Sequence, residues 1–172
     1  MKHLMWLLLL TPTLALANLK PDALPAIKAI QVNDDRVVTA GLPTAEQLTA
    51  LPEAGIAVVI NLIPRDHAHR LAGEAELATQ AGLTYYQIDV DWQAPKAEDL
   101  ARFQSLMDQH RQSGLLVHCM ANYRASAFYY LYRALEDGEP TPELLAPWGD
   151  LEASLAEYPQ WRDFMDNTLS KQ

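Results

Sequence analysis

The sequence predicts an α/β fold: a central, mostly parallel sheet flanked by helices, followed by a helical C-terminal extension. Three observations carry that reading. Short apolar runs occupy residues 57–62, 85–90 and 115–118, the pattern of strands buried on both faces. The stretches between them have helical periodicity, as in residues 100–110, where Leu100, Phe103, Met107 and His110 fall on one face beside Leu106. A further helix is predicted immediately after the third run, over 124–135, with Phe128, Leu131, Tyr132 and Leu135 as its apolar face. Strand and helix in strict alternation give parallel pairing, and ligands of such sheets sit beyond the carboxyl ends of the strands.

Taken in order, residues 1–17 read as a signal peptide. Lys2 and His3 precede an apolar stretch over 4–10, and Ala15-Leu16-Ala17 is a small-x-small cleavage signature before Asn18. The stretch is shorter than the roughly 20 residues needed to span a bilayer, and Pro12 interrupts it. The chain is therefore expected to be exported, periplasmic or secreted, without stable membrane insertion once the leader is removed. Residues 18–140 form the expected α/β domain and 141–172 the extension packed on it.

Two short strands over 27–31 and 36–39 are expected around an Asn33-Asp34 turn. Thr44 and Gln47 make a capping box for a helix over 45–51, and Gly55 stops it. After the 124–135 helix, the acidic, proline-containing stretch 136–143 leads to a tail whose Trp148, Tyr158, Trp161 and Phe164 are expected to pack over the domain.

Charge narrows the partners. Lysine and arginine number 13 against 22 acidic residues, a formal charge of −9, which becomes −10 when Lys2 leaves with the leader. So acidic a chain is not expected to bind nucleic acid or anionic membrane surfaces. An anionic substrate must be drawn in by a local positive pocket.

Cys119 is the one cysteine, so no internal disulfide can form. It lies in His118-Cys119-Met120-Ala121-Asn122-Tyr123-Arg124, between the third run and the helix that follows. A helix start presents unpaired N–H groups and a partial positive charge, which suit a tetrahedral anion and favour the thiolate, the nucleophilic form. Arg124 adds a planar fork for oxyanions. Asn122 suits a tight loop because asparagine tolerates positive φ.

Strand, His-Cys, loop, Arg and helix together resemble the cysteine-dependent protein phosphatases, especially the bacterial dual-specificity-like branch. The resemblance extends to Val37-Val38-Thr39-Ala40-Gly41-Leu42-Pro43-Thr44 and to the strand ending in Asn61-Leu62. It implies a phosphomonoester substrate, protein or small molecule, attacked by Cys119 to give a cysteinyl phosphate. No metal or organic cofactor is implied. Arg124 and the loop residues Met120, Ala121, Asn122 and Tyr123 would cradle the equatorial oxygens, with His118 tuning the thiolate and Ser126 donating to the sulfur. The general acid is expected at Asp91, with Asp89 as the alternative. Arg65, His67, His69 and Arg70 follow the first parallel strand and are read as a solvated basic loop that could flank the mouth.

The spacing departs from the family in one respect. Four residues separate Cys119 from Arg124 where the phosphatase loop has five, and one residue turns a helical side chain by roughly 100°. The shorter loop is similar to that of the rhodanese-like sulfurtransferases, which implies a Cys119 persulfide as the alternative activity. A catalytically silent phosphoanion-binding module is the third reading.

Overall fold

The computed structural model describes residues 19–138 and 141–170; the expected signal peptide lies outside them. Among the described residues five strands form one sheet: β1 (Gln31–Val32), β2 (Val37–Ala40), β3 (Ile56–Asn61), β4 (Thr84–Gln87) and β5 (Gly114–His118). Their spatial order is β1-β2-β5-β3-β4, with β1 antiparallel to β2 and every other pairing parallel. β5, carrying His118 at its end, is thus central and flanked by β2 and β3. Its five residues are all buried.

Among the described residues six α-helices accompany the sheet: α1 (Ala45–Ala50), α2 (Glu74–Gln80), α3 (Ala97–Gln109), α4 (Tyr123–Asp137), α5 (Leu151–Glu157) and α6 (Pro159–Leu169). The Thr44 hydroxyl accepts from Gln47 N while the Gln47 side chain accepts from Thr44 N, so the capping box forms as expected. Gly55, at φ +85°, ends the 3₁₀ turn that follows α1. Apolar side chains segregate by sheet face. Val38, Val59 and Leu116 pack towards Leu48 and Ala78 of α1 and α2, whereas Leu115, Val117 and Cys119 join α3, α4, Trp148, Trp161 and Phe164. The tail therefore shares the larger of the two cores.

Two strands differ from expectation. Residues 27–30 do not extend β1, because the chain turns there with Ala29 at φ +48°. β4 stops at Gln87, short of Val90. Ile88 N still bonds Asn61 O, but Val90 N then turns back to Ile88 O at 3.0 Å, lifting the chain off the ladder. That tight turn delivers Asp91 to the site described below.

The β2 end is held against the loop after β5 by backbone contacts. Gly41 N donates to Lys28 O at 2.7 Å, and Gly41 bridges Ala121. A Cβ at Gly41 would lie 3.0 Å from Lys28 O and 3.1 Å from Met120 O, both backbone atoms that cannot swing away. Gly41→Ala should cost about 1–3 kcal/mol through overpacking, seen as a lower urea midpoint with an unchanged m-value.

Candidate active site

The loop after β5 is built by its neighbours. His118 pairs with Ala40 on one side and Asn61 on the other, and Cys119 N continues the ladder to Ala40 O at 3.1 Å. The chain then reverses within three residues. Asn122 takes φ +67° as expected, and its Nδ2 donates to Ala29 O (2.7 Å) and Thr39 Oγ1 (3.2 Å), tying the reversal to the β1–β2 side. Because α4 starts directly at Tyr123, Arg124 sits in its first turn.

A cleft of about 430 Å³ opens at this point. Cys119, Met120, Ala121, Tyr123 and Arg124 line one side, and Pro64, His67, Asp91, Trp92 and Tyr158 complete it. Cys119 and Arg124 therefore share one cavity despite the short spacing. With α4 starting at Tyr123, the Arg124 side chain is pinned from behind. Its Nη1 donates to Leu62 O (3.2 Å) and Val90 O (2.9 Å), the main-chain carbonyls just past β3 and β4. The Nε–H is buried and has no acceptor among the described residues. A planar guanidinium held by one edge with a donor left over can take an oxyanion there.

Asp91 follows Val90, whose carbonyl holds Arg124, so arginine and aspartate are brought to the cleft by the same turn. Its Oδ1 accepts from Gln93 N at 2.9 Å, and it is solvent-exposed. Asp89 does not line the cleft: it accepts from Arg65 N and Gln87 Nε2 and pairs with the Arg65 guanidinium. The geometry thus separates the two aspartates.

A family model described as a polymorphic toxin system DSP-PTPase phosphatase matches residues 36–126, more than half of the chain. The chain belongs to the DSP-PTPase phosphatase family. A DUF442 protein from Shewanella putrefaciens CN-32, assigned as a phosphatase, is 42% identical over 84% of this chain and 91% of its own, with a TM-score of 0.80. Lower identity accompanies likeness in fold alone. Tk-PTP in its active form gives 16% identity and a TM-score of 0.62 over 83% of this chain and 97% of that one. Pseudomonas aeruginosa TpbA in complex with pTyr gives 18% and 0.58 over 83% and 94%. No curated protein matches the chain. The phosphatase assignment is the one the comparisons support; neither the sulfurtransferase nor the silent binding module gains support over it.

Within this phosphatase fold, not every expected residue reaches the cleft. Ser126 is buried in α4, where its hydroxyl donates to Asn122 O (2.6 Å) or Tyr123 O (3.1 Å) and accepts from Trp148 Nε1 (3.2 Å). It therefore braces the helix start against the tail, and no bond to the Cys119 sulfur is formed. His118 lies behind the cleft, fully buried, with Nε2 2.6 Å from Glu74 Oε1. Asn122 likewise shapes the loop from below. Of the basic loop, only His67 lines the cleft; Arg65 and Arg70 border a separate cavity on the Glu74 side.

Three contributors escaped the sequence reading. Trp92 packs at 4.9 Å against Tyr158 and at 5.2 Å against Trp161, and its carbonyl accepts from Gln160 Nε2 (3.2 Å) and Trp161 Nε1 (3.0 Å). The tail thereby fixes the loop that carries Asp91. Tyr158, expected only to pack, walls the cleft. Glu74, the first residue of α2, is buried against His118. The tail aromatics were visible in the sequence, but nothing in their spacing tied them to the loop after β4.

Proposed function

We propose that this phosphatase hydrolyses phosphomonoesters through a cysteinyl-phosphate intermediate, with aryl esters such as phosphotyrosine as its better substrates. The observation that carries the reading is one cleft holding the Cys119 thiol, the spare donor of Arg124 and the Asp91 carboxyl. The Cys119 thiolate attacks phosphorus, forming S–P as the ester P–O bond breaks, and Asp91 gives its proton to the departing oxygen. A water molecule then attacks the phosphocysteine; its proton passes to Asp91 and the S–P bond opens to inorganic phosphate and thiolate. Arg124 and the first amides of α4 carry the charge of the transferring group throughout.

Aryl substrates are favoured by the walls. Trp92, Tyr123 and Tyr158 surround the entrance with aromatic faces, and Pro64 and Met120 add apolar surface, a setting suited to a flat ring. TpbA, of the same fold, is seen with pTyr. We also place the enzyme outside the cytoplasm, following the leader at 1–17.

The test offers the purified protein an aryl phosphate and, in parallel, thiosulfate with cyanide. Phosphate release is expected; thiocyanate formation without it would transfer the protein to the sulfurtransferase class. Asp91→Asn should lower kcat about 100-fold on phosphotyrosine, within the usual range for general acids. The deficit should shrink on p-nitrophenyl phosphate, whose leaving oxygen needs little protonation. An equal deficit on both esters would show that Asp91 only shapes the turn.

A further inference from the structure

Glu74 has no role in the chemistry just described, yet it is only 4% exposed. Burying a carboxylate is costly unless it is paired and hydrogen-bonded, so its partners define its purpose. Oε2 accepts from Asn61 Nδ2 at 2.8 Å, and Oε1 lies 2.6 Å from Nε2 of His118, the residue before the nucleophile.

The orientation of Asn61 is fixed independently. Its Oδ1 accepts from Ile63 N at 2.7 Å, a backbone donor that cannot reverse its role. Nδ2 must therefore face Glu74, and it reaches the Tyr85 hydroxyl as well, at 3.0 Å. Tyr85 in turn donates to Gln87 Oε1 at 3.0 Å. Burial, followed by the charge of Glu74, pushes the Tyr85 hydroxyl up to about 12, which keeps it protonated for that bond. Asn61, Gln87 and His118 sit in register at the carboxyl ends of β3, β4 and β5. The polar chain thus runs across the sheet edge from which Cys119 emerges.

We infer that Glu74 is a positioning residue for the nucleophile: its acceptor-only carboxylate holds the proton of His118 on Nε2 and locks the ring at the strand end that presents Cys119. A proton held on Nε2 by the 2.6 Å contact with Glu74 Oε1 leaves Nδ1 as the lone pair.

This assignment has a sharp consequence for Glu74→Gln, an isosteric change. Since Asn61 offers a donor, the new amide must turn its carbonyl to Asn61 and its NH₂ to His118. A donor facing Nε2 forces the imidazole proton onto Nδ1. The substitution therefore inverts the tautomer while leaving packing nearly intact, and the histidine is no longer tied as in the parent protein.

The inference rests on the phosphatase reading only for its kinetic arm. Histidine labelled with ¹⁵N, with the His118 signals assigned from a His118→Gln spectrum, should show the Nε2–H form in the unmodified protein and the Nδ1–H form in Glu74→Gln. Kinetically, Glu74→Gln should lower kcat on the order of tenfold with KM nearly unchanged, as expected for a small displacement of a reacting atom. Iodoacetamide should alkylate Cys119 more slowly by a similar factor, a readout that needs no phosphatase activity. Glu74→Asp should not restore kcat, because its shorter side chain cannot reach both Asn61 and His118. The other titratable groups lining the Cys119 cleft, His67, Asp91, Tyr123, Arg124 and Tyr158, are the same in every variant. An Nδ1–H form in the unmodified protein would overturn the inference even if Glu74→Gln failed to fold. So would a Glu74→Gln protein that keeps parental kcat and alkylation rate.

Discussion

Cys119→Ser is expected to lower phosphate release from an aryl phosphate by on the order of 10⁴- to 10⁶-fold in kcat, the scale on which loss of a nucleophile is felt. A thiol gives a usable fraction of anion near neutral pH, whereas a serine hydroxyl needs a general base beside it. Of the nearby candidates, Ser126 Oγ is bound into α4, His118 lies behind the cleft against Glu74, Asp91 is the proposed acid, and His67, which lines the cleft, has its Nδ1 taken by His69 N. The fold should persist. Cys119 is 1% exposed and packs with Leu115 and Val117, and replacing sulfur by the smaller oxygen leaves only a small void, so Tm should drop by a few degrees at most. Phosphate or vanadate should still bind, since Arg124 and the α4 amides are untouched. Residual activity within tenfold of the parent would remove Cys119 from the mechanism.

The same residues show why some of the site was legible in the sequence and some was not. The Cys119 loop could be read because strand end, positive-φ asparagine and helix start are local, each encoded within a few residues. Asp91 could be placed because it follows an apolar run. The distinction between Asp91 and Asp89 could not be drawn, since it depends on the turn of Val90 back to Ile88 and on Arg65 capturing Asp89, contacts made across the ends of two strands. Ser126 had the right spacing from Cys119, but Trp148, 22 residues on, claims its hydroxyl. Nothing in the sequence around Glu74 sets it apart from the neighbouring Glu76. The burial of Glu74 arises only when α2 packs on the sheet and brings it to Asn61 and His118.

Arg124→Lys should lower kcat about 10²- to 10³-fold, the cost of losing a main transition-state donor. The wild-type side chain performs two tasks at once: Nη1 satisfies the carbonyls of Leu62 and Val90, and the buried Nε–H remains for the anion. A lysine ammonium is a single point. If it stays on the carbonyls, the phosphoryl group loses its fork; if it turns to the phosphoryl group, two buried carbonyls go unpaired at about 1–3 kcal/mol each. Either placement also loosens the Val90 turn that presents Asp91, so the deficit belongs mainly to kcat, with a smaller rise in KM. The early position of Arg124, with four residues between it and Cys119, makes this the decisive substitution. A loss below tenfold would mean that the loop amides alone hold the phosphoryl group and that the shortened loop has retired its arginine to a structural tie.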